Sequence, residues 1–568
     1  MVDVCIVGAG PVGLALAQGC AERGLSVALL ESGSENPRPD PLALSAAEIV
    51  DRRHHADMEI SVCRSLGGTS KRWGGRCVPF DPLDFESRAW VAQSGWPLAF
   101  AEIQRWWGPA SRFLNCGEPV FDTNSPGWNG LSGASVQSLE RWSQATDIAA
   151  TAGKDVLRSK LIDLRLGHTA VEIGLDRAGH RVERVVAASG ANRVSIQAER
   201  VVLAAGGLET TRLLLATRDH WPEHFGGIQG PLGRYYMGHI SGKIAVLEFD
   251  RPADIDEFDF CLGVDAVYTR RRITLTQDMQ AANGLLNVAF WPDNPPFSDP
   301  THCNGTLSLA FLALAFPPLG RVLAAEAIRL QHIGPAPRPY MRHLANVLRE
   351  PVSPVLDTLR IVRNRYFSSV PQPGFLKRHA GGRYALHYHA ESAPKWESTV
   401  TLSRQCDPLG LPRLKIDLRF DDKDAQSVVR AHDCVDESLR AARKARLAYQ
   451  QPREHRAREV LLQATDGFHQ IGTARMGLRR DDSVVNPDCR VHDVDNLYVA
   501  SSAIFPTSSQ ANPTLLAVAL AQRLSEHLAA SSIPRGGAAC GEQVVRPAAT
   551  AAPASSTPRI FDDQIPLA

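Results

Sequence analysis

Three glycines near the N-terminus, Gly8, Gly10 and Gly13, stand in the spacing G-x-G-x-x-G. The apolar run Val2 to Val7 precedes them, and a helix-forming stretch, PVGLALAQGCAERG, follows. In that setting each glycine has a task. Gly8 allows a tight turn, Gly10 lets a backbone approach a pyrophosphate, and Gly13 lets the helix lie close to the strand. The helix N-terminus then turns free N–H groups and the positive end of its dipole toward the phosphates. Glu31 closes the next apolar run, about 20 residues on, where a carboxylate suits the ribose hydroxyls of an adenosine and repels a 2′-phosphate. This is dinucleotide-binding chemistry, and it leaves FAD and NAD both open.

A second constellation lies in YALHYHAES, where strand alternation puts His387, His389 and Glu391 on one face. Such a face suits a metal, a polar substrate or plain packing. A metal would need a fourth ligand and a defined turn, which nothing nearby supplies, so no metal site is expected. Eleven cysteines, odd in number and without a C-x-x-C pair, indicate neither a disulfide framework nor zinc, and reduced thiols in a cytoplasmic setting fit better. The adjacent Trp106 and Trp107 have the faces to stack on a sugar, though neighbouring tryptophans more often divide into one buried and one half exposed.

These groups must be held by ordered elements. A chain of 568 residues has material for several packed cores. Its 62 basic and 61 acidic side chains leave a net charge of +1, no long-range field to gather a nucleic acid. Met1 leads straight into the apolar strand, so a classical signal peptide is not expected. The longest apolar run, Leu307 to Leu319, holds two prolines and falls short of the ~20 residues that span a bilayer. Contact with a membrane surface is left as a minor alternative.

The first ~30 residues form one βαβ unit. After an irregular stretch from Asn36 to Asp57 comes a glycine-rich segment, SLGGTSKRWGGRCVPFD, and VVLAAGGLETTRLLL repeats the strand–turn–helix pattern behind a β-meander such as RVERVVAA. Between about Leu247 and Gln463, alternating segments such as LPRLKIDLRF predict antiparallel strands, with helices such as Asp424 to Tyr449 packed on them. Residues 319–366 are basic and proline-broken, which predicts a helical hairpin or a lid, and the Ala/Pro/Ser-rich stretch 536–568 predicts a disordered tail.

Four segments in order, LGGTSKRWGG, VVLAAGGLETTRLLL, PLGRYYMGH and the C-terminal HQIGTARMG…NPTLLAVALA, resemble the glucose-methanol-choline (GMC) family of FAD-dependent oxidoreductases. The variant HxxGTxRMG with NPTL is most similar to its pyranose oxidase and fructose dehydrogenase side. The resemblance implies an α/β fold: a Rossmann-like FAD-binding domain (1–100, 160–240 and 465–530) interleaved with an α+β substrate domain built on an antiparallel sheet (101–159 and 241–464). It places Gly67, Gly68, Thr69, Trp73 and Gly75 along the flavin, Ala205 and Gly206 near the adenosine half, and Ser32, Ser501, Ser502, Asn512, Pro513 and Thr514 among the cofactor contacts. Arg72, with Lys71 beside it, stands where several relatives carry the histidine that binds FAD covalently, so non-covalent FAD is expected. Ser501 replaces an Asp or Gly common in relatives.

The resemblance also implies the reaction. His469 is the base for a substrate hydroxyl, Asn512 orients that oxygen, and the hydride passes to flavin N5. It further makes the His387, His389 and Glu391 strand a wall of the substrate cavity, and leaves His239 and His492 structural. The substrate class implied is a hydroxylated small molecule: a sugar, a glycoside or a glycosylated natural product. Dioxygen, a quinone or another carrier are all open as electron acceptor. The alternatives are non-redox, lyase-type use of the flavin scaffold and a catalytically silent FAD-binding protein.

Overall fold

The computed structural model describes residues 1–37, 43–350, 352–465 and 468–531. The expected tail at 536–568, and 38–42 of the irregular stretch, lie outside the described residues.

Five strands make one parallel sheet in the order Leu497–Val499, Ala198–Leu203, Val2–Val7, Val27–Glu31, Ile162–Leu166. The central strands Val2–Val7 and Val27–Glu31 read as near-continuous apolar runs because helices cover the faces of a parallel sheet, whereas the edge strand Ile162–Leu166 alternates. Three helices pack here: Pro11–Glu22, Gly207–His220 and Thr514–Ala530. The first and last touch at Gly19, where an added Cβ would stand 2.3 Å from Ser525 Oγ, so glycine sets how closely they approach. The meander predicted around RVERVVAA is a three-stranded antiparallel sheet over 169–196.

A second core lies on a six-stranded antiparallel sheet in the order Ala445–Tyr449, His239–Phe249, Arg383–Glu391, Val288–Asp293, Ile273–Leu275, Ala134–Ser135. Helix Asp422–Ala441 covers it, opened by a capping box of Asp421 and Asp424. The helix predicted over 424–449 stops at Ala441 because Arg443 turns the chain with a positive φ of 50°, and ARLAY then pairs as an edge strand.

Helices Phe100–Gln104, Trp107–Phe113 and Ala152–Arg158, in the stretch expected with the substrate domain, pack Ile103, Trp107, Phe113 and Val156 into the first core. Strands Thr399–Cys406 and Pro412–Asp417 do the same through Val400, Leu414 and Ile416. In both places the apolar face is turned to the nucleotide-side helices, a choice that period alone leaves open. Trp107 is buried and Trp106 half-buried against that core.

Residues 319–366 form no simple hairpin. Together with helix Gly305–Ala315, the helices Pro317–Leu323, Glu326–Ile333, Tyr340–Arg349 and Val352–Tyr366 make a five-helix unit. It surrounds a small core of Phe297, Leu307, Phe311, Leu314 and Ile333, where Tyr340 and His343 lay their rings on Phe311. Among the described residues no single helix is long and apolar enough to cross a membrane; the pair Gly305–Ala315 and Pro317–Leu323 passes by composition but bends by 107°.

Candidate active site

The three glycines near the N-terminus behave as distinct devices. Gly8 has φ of 106°, and a Cβ there would lie 2.6 Å from the Ala204 carbonyl oxygen, so turn and strand crossing both require glycine. A Cβ on Gly13 would meet the Gly8 carbonyl at 1.9 Å, which is the helix-to-strand contact. Gly10 is different: a Cβ there meets nothing within 4 Å, and the same holds for Gly206. Both face a cavity of about 2100 Å³ also lined by Gly8, Glu31, Thr69 and Ala205. Helix Pro11–Glu22 starts at Gly10 without a side-chain cap or a first-turn acid, leaving its N–H groups to an anion.

Glu31 accepts hydrogen bonds from the backbone N–H of Ala9 (3.0 Å) and Gly33 (2.8 Å). Burial raises its pKa, while those N–H groups and Arg64 favour the carboxylate. Ser32 Oγ meets Thr169 Oγ1 at 2.6 Å and accepts from Arg64 Nη1 at 3.0 Å. An open cradle, a bare helix end and a carboxylate together suit a dinucleotide bearing an adenosine.

One continuous cavity joins this cradle to His469 and Asn512, so residues from both ends of the chain meet. His239 Nε2 lies 3.1 Å from the Ser508 carbonyl oxygen, which accepts and so requires the proton on Nε2. His239 Nδ1 is then an acceptor, and His469 Nδ1 donates to it at 2.8 Å. The consequence is a lone pair on His469 Nε2. Asn512 Nδ2 donates to that nitrogen at 3.0 Å, while Asn512 Oδ1 accepts from Arg76 Nε at 2.7 Å. Arg76 has only donors, which settles the amide orientation.

Electrostatics keep this base neutral. Burial first, then His239 and Arg76, hold the His469 pKa well below its ordinary value. His239 is brought down to about 3, chiefly by burial. Arg76 itself falls to about 10 through burial, although Glu140 beside it opposes the shift. Arg76 and Arg270 both lie 4.9 Å from the Trp291 ring centroid, a cationic and aromatic wall of the cavity.

His389 stacks on His239 with ring centroids 4.3 Å apart and bonds the Gln510 carbonyl through Nδ1 at 2.7 Å. His387 stacks on Trp291 at 4.4 Å, with burial lowering its pKa to about 4. Both line the cavity. Glu391 does not join them: it is fully buried and accepts from Arg88 Nη1 (2.7 Å) and Nη2 (2.5 Å). A carboxylate at the end of this strand is more cheaply satisfied by a buried guanidinium than by an open cavity, and alternation says nothing about that partner. His239, His389 and His469 offer nitrogens within 4.8 Å of one another, but both nitrogens of His239 are committed to hydrogen bonds.

Of the other expected contacts, Gly68, Trp73, Pro513 and Thr514 line the cavity, while Gly67 and Gly75 shape the loop behind it. Ser501 and Ser502 line it too, yet Ser501 Oγ accepts from Ala503 N–H and Ser502 Oγ donates to the Gln470 carbonyl. Lys71 donates to the Glu35 carbonyl at 2.6 Å, and Arg72 is tied to the carbonyls of Glu59 and Val62. His492 hydrogen-bonds Ser483 at 2.9 Å, away from the cavity. Arg76, Arg270, Trp291 and the participation of His239 escape the sequence reading. His239 sits in the conspicuous PLGRYYMGH, whereas the others are ordinary residues made relevant only by tertiary contact.

A family model described as GMC oxidoreductase matches residues 394–521, and one described as FAD binding domain matches residues 1–46. The chain is 22% identical to the 2-methyl-1,2-propanediol dehydrogenase of Mycolicibacterium austroafricanum, over 93% of this chain and 95% of that one. It is 34% identical to the C-glycoside 3-oxidase of Arthrobacter globiformis over 124 residues, 22% of either chain. Pyridoxine 4-oxidase from Mesorbium loti shares the fold, with a TM-score of 0.53 at 17% identity, covering 93% of this chain and 99% of that one. With the nucleotide cradle at one end of the cavity and the His469 and Asn512 pair at the other, these matches support an FAD-dependent oxidoreductase of the GMC type acting on CH–OH groups.

Proposed function

We propose that the chain oxidises a CH–OH group of a sugar, glycoside or glycosylated natural product to the carbonyl, with His469 as the base. The observation that carries this reading is the fixed tautomer of His469, whose Nε2 lone pair and Asn512 amide both face the cavity. The substrate hydroxyl takes the place of the Asn512 amide on Nε2 and gives its proton there. Asn512, anchored by Arg76, keeps a donor for the same oxygen, so O–H cleavage and oxygen orientation fall to different side chains. Bound FAD supplies the acceptor for the hydride leaving the carbinol carbon.

Volume and lining favour a polyhydroxylated substrate. The cavity of about 2100 Å³ exceeds the roughly 300–1,000 Å³ typical of a pocket for one drug-sized ligand, which leaves room for a dinucleotide and a second molecule. Tyr268 lines the cavity with a half-buried aromatic ring, and Ser241 offers a hydroxyl. The kinship with a C-glycoside 3-oxidase supports the same class. Screening sugars, glycosides and simple alcohols with an artificial electron acceptor tests it. Turnover is expected with glycosides or sugars, and turnover confined to simple alcohols would contradict the substrate class.

A further inference from the structure

The five-helix cap wears part of its polarity inside out. In helix Tyr340–Arg349 the buried side chains are His343 and Asn346, which bond Ser308 Oγ at 3.0 Å and the Pro300 carbonyl at 2.8 Å. The outward residues are Met341, Leu344 and Leu348, with Met341 77% and Leu348 67% exposed. Helix Val352–Tyr366 also carries an exposed apolar stripe. Thr358, Ile361, Val362 and Arg365 line the cavity, and the opposite stripe of Val352, Leu356 and Leu359 faces out. An apolar stripe turned away from the core at helical spacing is not what a helix in water requires.

Charge says what covers it. Residues 317–366 carry eight arginines against three acids, in a chain whose net charge is +1. Arg342, Arg349, Arg360 and Arg363 are exposed beside the apolar stripes, and none forms an ion pair with a described residue. Long guanidinium stems beside apolar side chains suit the boundary of a bilayer, where the stem lies in the acyl region and the head meets anionic lipid.

We propose that this cap docks on an anionic lipid surface, with Met341, Leu344, Leu348, Val352, Leu356 and Leu359 entering the acyl boundary and the four arginines meeting headgroups. The apolar run from Leu307 is not the contact, since Leu307, Phe311 and Leu314 are buried in the cap core. The inner stripe of the same helix walls the cavity, so the docked face and the cavity share one element. Docking needs no turnover, and its failure leaves the catalytic reading untouched.

The full-length holoenzyme is sedimented with phosphatidylcholine vesicles, with and without phosphatidylglycerol. The proposal predicts co-sedimentation that rises with the anionic lipid and falls with salt, each arginine contributing roughly a fivefold step in partitioning. Combining Met341→Ser, Leu348→Ser, Leu356→Ser and Leu359→Ser should abolish it with flavin absorbance unchanged. Combining Arg342→Gln, Arg349→Gln and Arg363→Gln should remove the preference for anionic lipid. No sedimentation with anionic vesicles would overturn the proposal. So would a dimer in solution that the serine variant converts to monomer, because a second copy would then cover the face.

Discussion

His239 and His469 meet Nδ1 to Nδ1 at 2.8 Å, and this one contact decides which nitrogen of His469 is basic. Because the Ser508 carbonyl fixes the proton of His239 on Nε2, the shared proton belongs to His469. His239 therefore acts through its neighbour, as a positioning residue.

Replacing His239 should disturb the proton chemistry more than binding. His239→Ala is expected to lower kcat by roughly tenfold or more with a smaller change in KM. It should also move the acid limb of the kcat/KM profile upward, since His239 helps to depress the His469 pKa. His239→Asn, which can still accept through Oδ1, should recover part of both. Unchanged pH profiles across the three proteins would show that His239 is only packing.

The glycine devices separate folding from cofactor binding. Gly10→Ala places a methyl in open cavity space, so the apoprotein should melt as the parent does while FAD affinity falls about tenfold, or 1.4 kcal/mol. Gly8→Ala meets a positive φ and the Ala204 carbonyl, and should cost stability itself by about 1–3 kcal/mol or more. Thermal melts of the apoproteins and FAD titrations distinguish them.

Glu391 should behave as a structural residue. Glu391→Ala leaves the Arg88 guanidinium buried without its counter-charge, a loss of about 3–5 kcal/mol. Denaturant unfolding is expected to show it. A stable variant with a raised KM would instead return Glu391 to the substrate wall.

Acid should loosen the fold before neutral pH does. Burial holds His239 at about 3 and His387 and His432 at about 4, and keeps His389 and His469 well below the ordinary value. These imidazoles stay neutral when folded and gain protons when unfolded as pH falls below about 6.5, so stability drops from there toward the folded values. Each contributes up to about 1.4 kcal/mol per pH unit. Asp84, raised to about 7 by burial and by Asp81 and Glu391, works in the opposite direction, as do Glu31, Asp122 and Asp424, also raised chiefly by burial, but these carboxyls are fewer than the imidazoles held down. Unfolding free energies between pH 7 and pH 5 should therefore decline.

The nucleotide end was legible because its signal is local. Gly8, Gly10, Gly13 and Glu31 carry their spacing and their strand–helix setting in about 30 contiguous residues. His469 and Asn512 were legible only through resemblance, since nothing local distinguishes a base from a core histidine. Arg76 and His239 reach the site from segments hundreds of residues away from Asn512 and His469, and no periodicity reports such a meeting. Glu391 shows the converse. Alternation put it on the correct strand, but the deciding partner, Arg88, lies 303 residues earlier. The inverted helix at 340–349 also defeats pattern reading, because its apolar stripe predicts burial where the fold leaves it exposed.

His469 is the proposed acceptor of the substrate proton. Rapid anaerobic mixing of the holoenzyme with its substrate, followed by flavin absorbance, measures that step without the electron acceptor. His469→Ala should retain FAD and slow flavin reduction by roughly 10²–10⁴-fold. Reduction at the parent rate in an FAD-loaded His469→Ala protein would contradict the account.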